Sequence, residues 1–151
     1  MKGVSFIKIT GEVTIKARDE DGNIVNQWKS NNMVVGGGRN AVLGLISDDG
    51  TSTTDKVITE MSWGTNGAAT NISDAAPLTD NFDKTLDGHV VDGVNYKCTF
   101  TGSLSTSENN GVTIREVGLL CADGTLFARY VWAGVAKTNA ISLSVDWVIK
   151  F

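Results

Sequence analysis

The chain has 151 residues, 41% hydrophobic and 20% charged, with a net charge of −4. That length suits a single domain with its own core, and an acidic balance without a basic run lacks the electrostatic source that nucleic-acid or acidic-membrane binding needs. No apolar stretch approaches a bilayer span, the start MKGVSFIKITGEV has no uninterrupted apolar segment of signal type, and two cysteines are too few for a disulfide scaffold.

The chain is therefore expected to be made and kept soluble in a cytoplasm. It is rich in Val, Ile and Thr and carries 17 Gly and a single Pro, Pro77. Side chains branched at Cβ suit a pleated surface, so strands and turns are expected to dominate.

The first element is a hairpin. FIKITGEVTIKARDEDGNIVNQW alternates through Val13, Ile15 and Ala17, turns at Asp21-Gly22 and resumes with Ile24, Val25 and Trp28. Asp-Gly between alternating runs is a strong hairpin signal. DEDGN also opens like a calcium loop, but Ile24 stands where that loop has its glycine and Ser30 where it has its glutamate, so the turn reading wins. SNNMVVGGGRNAVLGLISDDG predicts one short helix over residues 38–46, with Val35, Val42 and Ile46 on one face and Asn31 or Asn32 as N-cap. Residues 36–38, all glycine, lead into it. They are followed by neither the GK[ST] of a phosphate loop nor GxGxxG.

A strand is expected over residues 57–63, then a long loop of small and polar residues over 64–79, which at this length is either functional, contacting a partner, or a plain surface loop. VNYKCTFTGSLS alternates Tyr96, Cys98 and Phe100 against Lys97, Thr99 and Thr101. TIREVGLLCADGTLFARYVWAG is the most apolar long stretch, broken once by Asp123-Gly124. A two-residue loop there sets Cys121 against Leu126, Leu119 against Ala128, Val117 against Tyr130 and Arg115 against Trp132, with Leu120 opposite Phe127. A hairpin apolar on both faces is either sandwiched between layers or docked on another chain. A two-residue turn at Asn109-Asn110 would likewise set Cys98 against Cys121 as adjacent, reduced thiols. Glu116 can sit diagonal to Arg129; either both side-chain ends reach water, or an ion pair between them fixes the register or meets a neighbouring subunit. The last run, NAISLSVDWVIKF, places Ile141, Leu143, Val145, Trp147, Ile149 and Phe151 on one face. Together these elements predict one domain over residues 1–151: an antiparallel β-sandwich, jelly-roll or immunoglobulin-like, of about eight strands with one short helix.

Candidate chemistry is sparse. The single histidine, His89, lies in a loop-like LDGHVVDG, and Glu60, Asp74, Asp80 and Asp83 show no spacing that pairs them for glycoside hydrolysis. The spacing of Cys98, Cys121 and His89 matches no zinc pattern. No catalytic residue, cofactor site or metal site is expected. Among the four tryptophans, Trp147 falls on a core face, while Trp132, near its strand end, is the one expected to reach the surface.

Four segments in order resemble tailed-bacteriophage virion structural proteins of the tail-collar, fibre-adaptor or capsid-decoration kind. GEVTIKARDEDGNIVNQWKSNNMVV is similar to that family's opening G-x-V-T-I-x-x-x-D-x-x-G-N-V hairpin, and GGGRNAVLGLI to its x-x-G-x-N-x-x-x-x-x-L helix. MSWGTNGAATNISDAAPLTD resembles its M-x-x-G-T-G loop. IREVGLLCADGTLFARYVW with ISLSVDWVIKF resembles its closing hairpin and final strand. The chain departs at residues 64–67, Gly-Thr-Asn-Gly for Gly-Thr-Gly, and at Leu120, where the family often has Phe. The resemblance implies a non-enzymatic virion structural protein without cofactor. It would be made in the host cytoplasm and assembled as a homo-oligomer with other virion structural proteins, without nucleic acid or membrane. The expected interface is Trp63, Gly64, Thr65, Asn66, Gly67, Tyr130 and Trp132. A carbohydrate-binding β-sandwich module is the alternative that the aromatic residues keep open.

Overall fold

A computed structural model describes residues 8–47, 53–75, 79 and 82–151. Nine strands make up most of it: β1 (Thr10–Arg18), β2 (Ile24–Val34), β3 (Ile58–Gly64), β4 (Phe82–Thr85), β5 (Gly88–Asp92), β6 (Lys97–Leu104), β7 (Val112–Cys121), β8 (Leu126–Lys137) and β9 (Ser142–Lys150). One helix, α1 (Gly36–Ser47), and a single 3₁₀ turn, Thr53–Lys56, complete it. The fold is thus mainly β and antiparallel, as expected, with nine strands in place of eight.

All nine strands join in one sheet of order β4-β3-β7-β8-β2-β1-β9-β6-β5. The outermost strands, β4 and β5, are separated in sequence by Leu86 and Asp87 alone. Leu86 N–H donates to the Thr59 carbonyl beside β4, and Asp87 N–H to the Thr101 carbonyl of β6. The two ends of the sheet therefore meet at this connection, and the sheet curls into a half-barrel. Met61 of β3 fills the space over Gly102 of β6, where an added Cβ would lie 2.7 Å from the Met61 sulfur. The core lies inside the curl.

Alternation places the core residues as read. Val13, Ile15 and Ala17 of β1 and Leu143, Val145, Trp147 and Ile149 of β9 are all buried, and β1 pairs with β9 in unbroken register from Thr10–Lys150 to Arg18–Ser142. Phe151, beyond the strand, is exposed. The β1–β2 hairpin forms as read, but its loop is five residues, Asp19 to Asn23, with Glu20 and Asp21 at the tip, and Gly22 alone takes a positive φ, +83°, which suits a residue without Cβ.

β2 is the joint of the sheet. It pairs with β1 over Ile24 to Asn32, and only its last two residues, Met33 and Val34, pair with β8. Asn31 and Asn32 are thus strand residues and not helix caps. The helix begins at Gly36, so the glycines lie inside it. Their role is close approach: a Cβ on Gly38 would sit 2.1 Å from the Phe127 carbonyl oxygen, and one on Gly37 2.7 Å from that of Leu126. The packed face of α1 is Gly38, Ala41 and Gly44, while Ile46, expected on the buried face, is exposed. A helix pressed against strand backbone needs small residues where it touches, which reverses the usual apolar-stripe reading.

Two further expectations are corrected. β6 pairs with β5 and β9 and never with β7, so Cys98 stands opposite Val91 and Ile149, while Cys121 stands opposite Ile58. Both thiols are free. The Cys98–Cys121 register fails because the connection after β6 crosses between the two halves of the sheet instead of turning back as a hairpin. In the β7–β8 hairpin, Leu119–Ala128 and Val117–Tyr130 pair as read, but bulges shift both ends. Leu120 pairs with Leu126 instead of Phe127, and Arg115 has no partner between the Ile114–Val135 and Glu116–Val131 pairs. The loop is four residues, not two. Its tip is held by Ala122 N–H to the Val57 carbonyl and Asp123 N–H to that of Asp55.

Candidate interaction surfaces

The two-sided apolar character of the β7–β8 hairpin is met within the chain. Val117, Leu119 and Ala128 join the main core, and Leu120 and Leu126 form a second small cluster with Val35 at the start of α1. Farther along the same outer side, Glu116 and Arg129 are 1% and 6% exposed. Arg129 Nε donates to Glu116 Oε2 at 2.7 Å, so the diagonal ion pair is present. Its other nitrogens reach the polar loop. Nη1 donates to Asp74 Oδ2 at 2.8 Å and Nη2 to the Ala68 carbonyl at 3.2 Å. Glu116 Oε1 accepts the N–H groups of Asn66 and Thr79, each at 3.1 Å. The pair thus clamps both ends of the 64–79 loop onto the hairpin. Burial works to raise the Asp74 carboxyl, but the Asn71 N–H and the Arg129 guanidinium outweigh it and hold it below its ordinary range.

Beside this loop, β2 and β8 part after Met33–Arg129, leaving a groove of about 860 Å³. Its walls are Lys8 to Gly11, Asn31 to Val34, Arg39, Gly67, Ala69, Thr70 and Arg129 to Trp132. The Tyr130 and Trp132 rings stack nearly parallel, 6° apart with centroids at 5.9 Å, and Trp28 lies 6.1 Å from Trp132. Asn32 is committed: its Oδ1 accepts Trp147 Nε1 at 3.0 Å and its Nδ2 donates to the Met33 carbonyl.

A second recess, about 280 Å³, lies between α1, the start of β3 and the ends of β5, β6 and β9. It is lined mostly by apolar side chains, and Leu45, Val57, Val91 and Phe151 on its rim are 42% to 70% exposed. Nearby stretches of the same elements leave Leu43, Ile46 and Val90 exposed as well. Sequence reading missed this patch because LDGHVVDG, which forms β5, reads as a loop, and the larger residues of α1 were expected on a buried face.

The residues expected at an interface are spread over several environments. Trp63 is fully buried in the core and Gly64 is buried beside it; Thr65 and Asn66 are half-buried; Gly67 is exposed. Tyr130 is half-buried, and Trp132, expected near the surface, is only 7% exposed because Tyr130 and Trp28 cover it. The indole N–H groups of Trp63 and Trp132 are both buried without an acceptor among the described residues. His89 lies on β5, exposed, with its ring 6.2 Å from Phe100. Of the candidate carboxylates, Asp74 is engaged by Arg129, Asp83 accepts the Ser62 hydroxyl, and Asp80 lies outside the described residues. Among the described residues no three His, Cys, Asp or Glu side chains converge as a metal site would require, and no helix is long and apolar enough to cross a membrane. Comparison with protein-family models, curated proteins and solved structures finds no match to this chain.

Proposed function

We propose that the chain is a non-enzymatic structural component of a tailed-phage virion, assembling as a homo-oligomer on the capsid surface, collar or tail through protein–protein contacts. The observation that carries this reading is the apolar patch around Leu45, Val57, Val91 and Phe151, exposed on one chain. Contiguous apolar surface of this kind marks an interaction site more often than a solvated face. The loop held through Asn66, Ala68, Asp74 and Thr79 adds a second contact, with Gly67, Ala68 and Ala69 exposed. In fold terms, this reading takes the halves β4-β3-β7-β8 and β2-β1-β9-β6-β5 of the one curled sheet as counterparts of the two layers of a sandwich.

The test is mass by light scattering for the wild type and for Leu45→Glu and Val91→Lys, followed by incorporation of each into particles. The wild type is expected to exceed one chain's mass and to label purified virions, and both variants to lose mass and incorporation. A wild type that stays monomeric and is absent from virions would end the reading. The groove beside Tyr130 and Trp132 favours the second reading, a carbohydrate-binding module, because stacked aromatic rings beside amide groups suit a sugar face. Binding on a glycan array by a monomeric protein would promote it.

A further inference from the structure

We propose that the β2/β8 groove receives the acidic β1–β2 turn of a second copy of this chain, making a head-to-tail contact. This rests on the reading of the chain as a self-assembling component and names the surfaces involved.

The groove's charge is one-sided. Its lining includes Lys8, Arg39 and Arg129 and no Asp or Glu, in a chain of net charge −4. Arg129 is already neutralised by Glu116 and Asp74. Arg39 spends only its Nε, on the Val34 carbonyl at 3.4 Å, and neither Arg39 nor Lys8 has a carboxylate within ion-pair distance among the described residues. The groove therefore offers an incoming anion two cations without an ion-pair partner among the described residues, in a lining that also holds Met33 and Tyr130. The groove walls also offer backbone. β8 from Tyr130 onward and β2 up to Asn32 have no strand partner among the described residues on the sides that face one another. Such edges take up an extended segment readily.

The turn has the opposite character. Residues 19–23 are closed by Asp19 N–H to the Asn23 carbonyl and Gly22 N–H to that of Asp19. The Asp19 carboxylate is used inside the turn, accepting the Asn23 backbone N–H and the Asn23 side-chain amide. Glu20 and Asp21 are exposed, with no cation in ion-pair distance among the described residues, and Ile24 and Val25 directly behind them are 51% and 54% exposed. The turn thus presents carboxylates at its tip and apolar side chains at its base, the complement of cations and aromatic rings in the groove.

A chain cannot fill its own groove. Turn and groove sit at opposite ends of β2, whose 11 residues at about 3.4 Å each put them some 35 Å apart. The contact therefore joins different surfaces of successive copies, which closes into a ring or runs on as a filament. Charge pairing at a half-exposed site is screened by salt, so the contact weakens as ionic strength rises.

The experiment uses charge reversal on the full chain, with circular dichroism to verify folding and sedimentation velocity to read mass. Arg39→Glu breaks the groove, Lys8→Glu serves as a second groove variant, and Glu20→Lys with Asp21→Lys breaks the turn. Each is expected to run at a lower mass than the wild type, having lost the head-to-tail contact while the α1–β5 patch stays intact. Mixing a groove variant with the turn variant leaves one intact groove and one intact turn, so one head-to-tail contact should form between them and go no further. Combining groove and turn reversals in one chain should restore the larger species. If the wild type is oligomeric and every folded variant keeps its mass, the groove contact is refuted while self-assembly stands. If the wild type is monomeric, both fall. If a monomeric wild type binds a glycan and Arg39→Glu abolishes that binding, the groove is a ligand site and the contact is overturned.

Discussion

Removing Arg129 should release the 64–79 loop and destabilise the fold together. Glu116 is 1% exposed, and its carboxylate is held by one guanidinium and two backbone N–H groups. Arg129→Met leaves that charge buried with only the two N–H groups to compensate it. Breaking a buried pair from one side costs about 3–5 kcal/mol. In a chain of this length that corresponds to a fall in Tm of about 6–12 °C at the lower figure. Glu116→Gln keeps an acceptor for Asn66 and Thr79 but turns a neutral amide to the guanidinium, so the loss is about 1.5–3 kcal/mol, the range for hydrogen bonds to charged groups. Asp74 lies at the edge of the network with its side chain 25% exposed, so Asp74→Asn should cost about 1 kcal/mol or less.

The order Arg129→Met, Glu116→Gln, Asp74→Asn is the informative part, because burial sets it. Urea unfolding gives the three stabilities. A double-mutant cycle on Glu116→Gln and Arg129→Gln isolates the pair, and hydrogen exchange at the Asn66 and Thr79 amides reads the loop. Coupling is expected within the 0.5–3 kcal/mol span of directly contacting residues, at about 2 kcal/mol, with faster exchange at both amides in Arg129→Met. Coupling below about 0.5 kcal/mol, or loop amides that exchange at the wild-type rate, would refute the clamp.

Three other outcomes follow from the geometry. The hydrogen bond from Lys56 pulls the Asp123 carboxyl down to about 2 from its ordinary 3.8, against burial and with help from Thr125. Its stabilising effect is therefore complete above about pH 4 and lost as pH falls towards 2; urea midpoints across that window should fall less steeply in Asp123→Asn, and equal slopes would count against it. Burial, reinforced by the charge of Asp123 and opposed by Lys56, pushes the Cys121 thiol up to about 11. At pH 8 in the native protein it should resist a thiol reagent while the unfolded protein yields two thiols, and rapid native labelling of Cys121 would contradict its burial. Gly38→Ala gains up to about 1 kcal/mol of helix propensity but drives a methyl into the Phe127 carbonyl, so a net loss of roughly 1–3 kcal/mol is expected by denaturant unfolding, and a stabilised variant would show that α1 can shift freely.

The parts of the fold that were legible are those encoded within one strand or one hairpin. Alternation in β9 and β1 fixed which side chains enter the core, and hairpin spacing put Glu116 diagonal to Arg129 even though bulges displaced both ends of that hairpin. Strand order was not legible, because β6 meets β9 and β9 meets β1 through backbone pairing that leaves no local signature. The Cys98–Cys121 pairing failed for that reason. Lys137 shows another limit. It is 1% exposed, with its ammonium held by Asn110 Oδ1 at 2.7 Å and the Thr138 carbonyl at 3.0 Å, and no pattern of charge marks such a position. Burial pulls its pKa down, opposed by Glu108.

The same contrast decides where an assembly surface should be sought. The hairpin TIREVGLLCADGTLFARYVWAG looked like an interface because it is apolar on both faces, yet α1 and the clamped loop cover the second face from within the chain. Covering it required glycines at the contact, and a helix that packs through Gly38, Ala41 and Gly44 turns its larger residues outward. Leu43, Leu45 and Ile46 are exposed as a direct result. β5 lies at one end of the sheet, with no strand on its outer edge among the described residues and with Val90 and Val91 exposed, and has neither a lysine nor a proline to block pairing. Edge strands of soluble monomers usually carry such a block. The exposed apolar surface on α1 and β5 is therefore generated by the packing that hides the hairpin, and it lies apart from the groove beside Tyr130 and Trp132.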